Sequence, residues 1–424
     1  MPQKHMKSIK KRILSPSTVT IPGSKSISHR MMICAALAHG TSIVKNLLDS
    51  EDLALTRGAL AHMGAGMIVA DDGTITVQGV NGLPTPYGPE IYLGNSGTSM
   101  RLLAGVAALG KTLYVLTGDQ RMQERPMGDL LAALQMIQVR VASEKGEGCP
   151  PVFIHGGNRR GGDVTIDCSQ SSQYLSSLLM MGAVLDQGLC ISLPTPAVSA
   201  PYIDLTMDIM EKFNVKARRV DETHYVVLGR QSYVPGDFVV EPDLSNASYF
   251  WAMGAVSGKQ ITVAHINQSS LQGDIRLLDI LKQMGCAVVY DARGITVSGS
   301  NLTAVEVDMS DIPDVVPTLA AVACFATGTT KINNIAHLRQ KECDRISVVV
   351  SQLKKMGVDA REGEDWLSVT GKAPMEGTII ETFNDHRIAM AFSIIGLMVD
   401  GVSIENEGCV AKSFPGFWEI LDQL

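Results

Sequence analysis

One pattern recurs six times along this chain and limits what it can fold into. An apolar helical run reaches a glycine, and a short strand rich in β-branched residues follows. The glycines are Gly40, Gly110, Gly188, Gly258, Gly328 and Gly401, spaced 70, 78, 70, 70 and 73 residues apart. A self-similar period of this length marks a repeat architecture, and a glycine at each junction is the expected left-handed stop of a helix that turns into a strand. A second pattern runs in phase with the first. Leu60–Gly64, Leu281–Gly285 and Leu353–Gly357 each end a more amphipathic helix before an alternating strand, with weaker copies at Met210–Asn214 and Leu134–Gln138. The unit reads helix–strand–helix–strand with extra strands. Six units pair as two domains of three, divided at the Pro-containing segments Ile21–Gly23 and Glu241–Asp243. We expect one domain over residues 22–241 and a second from residues 1–21 with 242–424. The N-terminal segment is expected to complete the sixth unit, which ends short at Phe417–Leu421.

The six inner helices are apolar nearly all round, so they should be buried. Their entrances are polar. They read Gly23–Arg30, Gly94–Arg101, Ser169–Gln173, Asp243–Asn246, Asp311–Asp314 and Asn384–Arg387. Ser, Asn and Asp are ordinary N-caps, but unpaired N–H groups at a helix start also attract anions. Lys25, Arg30, Arg101 and Arg387 stand beside apolar helices, where an unpartnered cation is costly. An anionic ligand is the partner this predicts.

Composition narrows the chemistry. A net charge of −7 argues against general nucleic-acid binding. The eight cysteines show no zinc spacing and the nine histidines form no His-Glu-x-x-His array, so no metal site is expected. Gly23–Ser26 lacks the upstream glycine of a P-loop, and Gly94–Gly97 is not a dinucleotide fingerprint. The longest apolar run, Ala389–Val399, is about half a membrane span. A cytoplasmic monomer with reduced thiols is the expectation.

The motifs occur in a telling order: Pro22–Arg30, Leu93–Arg101, Glu124–Met127, Ser171–Gln173, Ile312–Asp314, Lys341–Arg345, Asp385–Arg387 and Lys412–Pro415. Together they resemble the 5-enolpyruvylshikimate-3-phosphate synthase family. The resemblance implies an α/β fold of two inside-out domains, each of three βαβαββ-type repeats, with the active site in the interdomain cleft. It implies transfer of the enolpyruvyl group of phosphoenolpyruvate to the 5-hydroxyl of shikimate 3-phosphate through a tetrahedral intermediate, without a cofactor. Shikimate 3-phosphate would be held by Lys25, Ser26, Arg30, Ser171, Ser172, Gln173, Ser199, Asp314, His337 and Lys341. Phosphoenolpyruvate would lie on Lys25, Asn95, Gly97, Arg125, Gln173, Arg345, Arg387 and Lys412. Asp314, Glu342 and Lys25 would move protons. Two phosphates and two carboxylates bring roughly five to six negative charges, which the cations in these sets can balance without a metal.

Three positions depart from the family pattern: His337 in place of an asparagine, Cys343 in place of Thr or Ser, and Ala200 in place of a basic residue. Histidine can make the amide's hydrogen bond, but with pH dependence. Two other readings compete. The sister family of UDP-N-acetylglucosamine enolpyruvyl transferases carries a loop cysteine, and Gly118–Pro126 has none. A non-enzymatic repeat scaffold predicts varied surface residues rather than cations at helix entrances.

Overall fold

The structure, a computed structural model, describes residues 5–424. The chain divides into two compact units, one of residues 23–241 and one of residues 5–22 with 242–424. Each unit has its own apolar core. At the centre of each lie three inner helices: Lys25–Leu37, Gly97–Leu109 and Gln173–Gly182 in the first, Leu244–Ser257, Val316–Ala323 and His386–Met398 in the second. Their side chains are buried on nearly every face, which is what sequences without a polar stripe require. The second helix of each repeat is half-buried, as in Pro201–Lys212, where Ile203, Leu205, Ile209 and Met210 turn inward and Lys212 stays out.

Around these helices stand small sheets with one plan. The strand after the inner helix is central, with a parallel neighbour on one side and, in the first five repeats, an antiparallel pair on the other. In the second repeat the order is Glu90–Tyr92, Leu113–Thr117, Val152–His155, Arg140–Ser143. Tyr114 and Leu116 point to the core while their neighbours are half-exposed, the alternation of a sheet with one wet face. The first and fourth repeats exchange their parallel edge. Ser17–Val19, which precedes the first inner helix, pairs with Ile261–Ala264 of the fourth repeat. Asp237–Val239, which precedes the fourth, pairs with Thr41–Lys45 of the first. The sixth sheet is closed by the N-terminal strand Met6–Ser8, antiparallel to Ser403–Glu405.

The junction glycines divide into two kinds. Gly188, Gly258, Gly328 and Gly401 have positive φ, whereas Gly40 and Gly110 do not. Of the four, Gly258 alone is the expected left-handed cap; the others follow inner helices that have already ended at Gly182, Ala323 and Met398, so the expectation fails at five of the six junctions. At Gly110 the constraint is space: an added Cβ would lie 2.0 Å from the hydroxyl oxygen of buried Tyr114. The ends of five second helices are uniform by contrast. Gly64, Gln138, Asn214, Gly285 and Gly357 all have positive φ, so glutamine and asparagine hold the same backbone place as glycine.

Candidate active site

The polar helix entrances gather the charged side chains of each unit. In the 23–241 unit Lys25 opens the first inner helix, and its Nζ lies 3.5 Å from Oδ2 of buried Asp52. Arg30, one turn on, is fully buried. It donates to Thr206 Oγ1 (2.7 Å), Ser26 O (3.0 Å), Ser176 Oγ (3.2 Å) and Tyr202 O (3.4 Å), all neutral oxygens. Burial lowers its pKa to about 10, still high enough for it to stay charged at neutral pH.

Entrances two and three are joined through Arg101. Its guanidinium donates to Gln173 Oε1 (2.9 Å) and Pro126 O (3.3 Å) and lies over the Tyr174 ring. Gln173 in turn donates to Thr98 Oγ1 (3.0 Å), so both ends of its amide are held. Arg125 donates to the carbonyl and the side-chain oxygen of Asn95, at 3.2 and 3.1 Å. Gly97 makes room for it, because an added Cβ would lie 2.5 Å from Arg125 Nη2. Ser171, Ser172 and Ser199 are buried nearby in sequence order, and Ser199 has φ 55°, a sparsely populated conformation for serine.

In the other unit a hub of ion pairs forms. Arg345 is 2% exposed and donates to Asp385 Oδ2 (2.7 Å), Glu342 Oε2 (2.7 Å) and Asp314 Oδ1 (2.9 Å). Arg387 reaches the other oxygen of Asp314 at 2.6 Å and Tyr249 Oη at 3.3 Å. Three carboxylates and two guanidiniums sum to −1. Burial alone would lower the Arg345 pKa, but Asp385, Glu342 and Asp314 outweigh it and hold the pKa well above its ordinary value. Asp385 caps the sixth inner helix, accepting from Arg387 N at 2.9 Å. Asp314 lies in the turn Pro313–Val315 and does not cap the helix that follows, so its carboxylate is left for the arginines. Lys412 is held in a neighbouring turn whose Ser413 carbonyl accepts from Asn246 at 3.2 Å, while Phe414 packs on Phe250 and Phe417.

The structure revises the argument from unpartnered cations. Arg387 and Lys25 face carboxylates, so their burial by itself does not call for an anion. Arg30 and Arg101 keep it, since their hydrogen-bond partners are neutral.

These geometries meet clear relatives. The family model described as EPSP synthase (3-phosphoshikimate 1-carboxyvinyltransferase) matches residues 11–421. A 3-phosphoshikimate 1-carboxyvinyltransferase of Colwellia psychrerythraea is 42% identical over 409 residues, 96% of each chain. One from Enterobacter sp. (strain 638) is 42% identical over 410 residues, again 96% of each. The chain belongs to the EPSP synthase family. Its fold agrees: the solved EPSP synthase of Acinetobacter baumannii superposes with a TM-score of 0.82 at 30% identity, over 99% of this chain and 97% of that one. The inside-out repeat fold is therefore that of EPSP synthases.

Sequence reasoning missed several residues that organise this EPSP synthase fold's charged groups. Asp385 stood in a recognised motif, yet its part as a buried partner of Arg345 was not foreseen; a carboxylate at a helix entrance two residues before an arginine was the available signal. Asp52, Thr206 and Ser176 come from other helices, and nothing local marks them. Cys343 donates its thiol to Asp385 Oδ2 at 3.5 Å, a weak hydrogen bond. Burial foremost, with Asp385 beside it, keeps that thiol protonated. Ala200 is the N-cap of the Pro201–Lys212 helix and contributes no side-chain cap bond, while its carbonyl accepts from Ile203 N at 2.9 Å.

Proposed function

We propose that this protein transfers the enolpyruvyl group of phosphoenolpyruvate to the 5-hydroxyl of shikimate 3-phosphate, releasing phosphate. The observation that carries the reading is the unequal exposure of the three hub carboxylates. Asp385 is 0% exposed, Glu342 9% and Asp314 21%, although all three share Arg345. Asp385 is therefore structural, while Asp314 and Glu342 are the two that can exchange protons with a ligand.

In the addition step Asp314 takes the proton of the 5-hydroxyl as its oxygen bonds to C2 of phosphoenolpyruvate. Asp314 is held between two guanidiniums, with one oxygen 2.9 Å from Arg345 and the other 2.6 Å from Arg387. The methylene carbon takes a proton from Glu342 or Lys25, giving a methyl ketal that still carries the phosphate. Elimination returns that proton and expels phosphate, so the double bond is restored in the product. Lys25, Arg30, Arg125, Lys341, Arg345, Arg387 and Lys412 offset the anionic charge of both substrates. Arginine suits the carboxylate and phosphate ends because its planar fork pairs two oxygens. Ser26, Ser171, Ser172, Gln173 and Ser199 hold shikimate 3-phosphate by hydrogen bonds, and Asn95 with Gly97 supports phosphoenolpyruvate beside Arg125.

The test is phosphate release from phosphoenolpyruvate with shikimate 3-phosphate, run beside UDP-N-acetylglucosamine and with EDTA present. Release with shikimate 3-phosphate alone is expected. Release only with the nucleotide sugar would overturn the reading. The same preparation should sediment as a 45.4 kDa monomer; a dimer would overturn that part.

Gly97→Ala tests the seat of phosphoenolpyruvate. The new methyl must push aside the flexible end of Arg125 and break its bonds to Asn95. KM for phosphoenolpyruvate should rise roughly tenfold to a hundredfold, with thermal stability little changed. An unchanged KM would remove Arg125 from the binding of that substrate.

A further inference from the structure

We propose that His337 takes up a proton as the phosphate of shikimate 3-phosphate binds, so that an imidazolium absent from the free protein becomes part of the phosphate's recognition. This rests on the reading above, in which shikimate 3-phosphate is the substrate and His337 and Lys341 are among the residues that hold it, and it adds that the phosphate group lies at these two.

The case begins with an imidazole that has no hydrogen-bonding reason to be where it is. His337 sits in the turn Ala336–Gln340, directly before Lys341, and is 6% exposed. Its Nε2 is buried and makes no hydrogen bond. Buried ring nitrogens in folded proteins are nearly always bonded, and an unbonded one asks for an explanation outside the folded chain. A ligand oxygen at Nε2 is one that also accounts for the neighbouring ammonium group.

The charges around the ring decide its state in the free protein. Lys341 belongs to the same segment, Asp314 to the turn Pro313–Val315, Arg345 to the helix Arg345–Lys355, and Asp308 to the strand Glu306–Asp308. Burial comes first, and Lys341 and Arg345 add to it, while Asp314 and Asp308 oppose. The result is a pKa pushed down to about 3, so the free protein carries a neutral imidazole throughout the neutral range. The pH dependence expected of a histidine at this position is therefore missing until something changes.

A phosphate monoester changes it. The dianion cancels the field of Lys341 and gives Nε2 a strong acceptor. Both effects favour the charged ring. An asparagine would offer the same donor with no charge to gain. The sign follows from linkage. A group whose pKa is higher in the complex than in the free protein binds a proton on association, so affinity increases as pH falls below the bound value. The phosphate's own protonation near pH 6 works in the opposite direction and is common to any residue at 337. Comparing the natural protein with amide variants removes it.

The experiment is calorimetric titration of shikimate 3-phosphate, and separately of shikimate, at pH 6.5 and 8.0 in buffers of unlike ionisation enthalpy. The natural protein is compared with His337→Asn and His337→Gln. At pH 6.5 the natural protein should take up about 0.5 to 1 more proton than either variant. The excess should be absent with shikimate. Because either variant can fold poorly, ¹⁵N spectra of the ring-labelled natural protein give a second readout: one of its nine histidines should pass from neutral imidazole to imidazolium on adding shikimate 3-phosphate. Equal proton counts together with no such resonance would overturn the inference, as would the same excess with shikimate. If those results came with normal turnover, the proposed reaction would stand and only the role of His337 would fall. No binding of shikimate 3-phosphate by the natural protein would instead remove the reaction itself.

Discussion

Asp314→Ala should lower turnover by roughly a hundredfold to ten-thousandfold, the range of a lost general base, while both substrates still bind. The hub adds a sign to this. Asp314 occupies one donor on Arg345 and another on Arg387. Its removal brings the cluster from −1 to neutral and frees two N–H groups for an incoming anion. Affinity for phosphoenolpyruvate should therefore tighten as kcat falls, a split that damage to the fold would not produce. Asp314→Asn keeps the shape and should show the same loss of kcat with less effect on binding. Turnover within a few-fold of normal in both variants would take Asp314 out of the mechanism.

Arg345→Leu should be the most damaging single change to stability. It leaves Asp385 wholly buried and Glu342 nearly so, without the guanidinium that pairs them. Breaking a buried ion pair by removing one partner costs about 3–5 kcal/mol. Arg345→Lys should recover only part of it, because an ammonium group cannot reach three carboxylates in the directions a guanidinium does. Urea midpoints of both proteins at pH 8 measure the deficit. A deficit below about 1 kcal/mol at pH 8 would mean that the carboxyls are satisfied in some other way.

Much of the fold was legible because the repeats announce themselves in helix ends. Gly64, Gly285 and Gly357 could be read as stops, and even Asn214 and Gln138 fell in phase. What defeated the reading at Gly110 was a distant ring, since the closeness of Tyr114 depends on how the strand folds back and not on the helix. The exchange of the edge strands Ser17–Val19 and Asp237–Val239 was also hidden. Pairing partners more than 190 residues apart leave no local mark, and each strand would fit either sheet by its alternation. In the candidate site the motifs are legible in the sequence, but the bonding among their residues is not. Entrance cations were read as awaiting an anion, and two of the four turned out to face carboxylates from other segments, Asp52 and Asp314. Long-range pairing of this kind is set by packing, and only the folded chain shows it.

The closure of the sixth sheet by Met6–Ser8 gives this chain an unusual timetable. Met6 pairs with Glu405, so this strand is made about 400 residues before its partner. At roughly 5–20 residues per second, about 20 to 80 s of synthesis separate the two. Residues 23–241 have all their strands long before then, including their exchanged edge. Met6–Ser8 must spend that interval without its partner strand, and the charge in and just after it, with Lys7, Lys10, Lys11 and Arg12 within six residues, suits a strand that has to wait without finding the wrong neighbour.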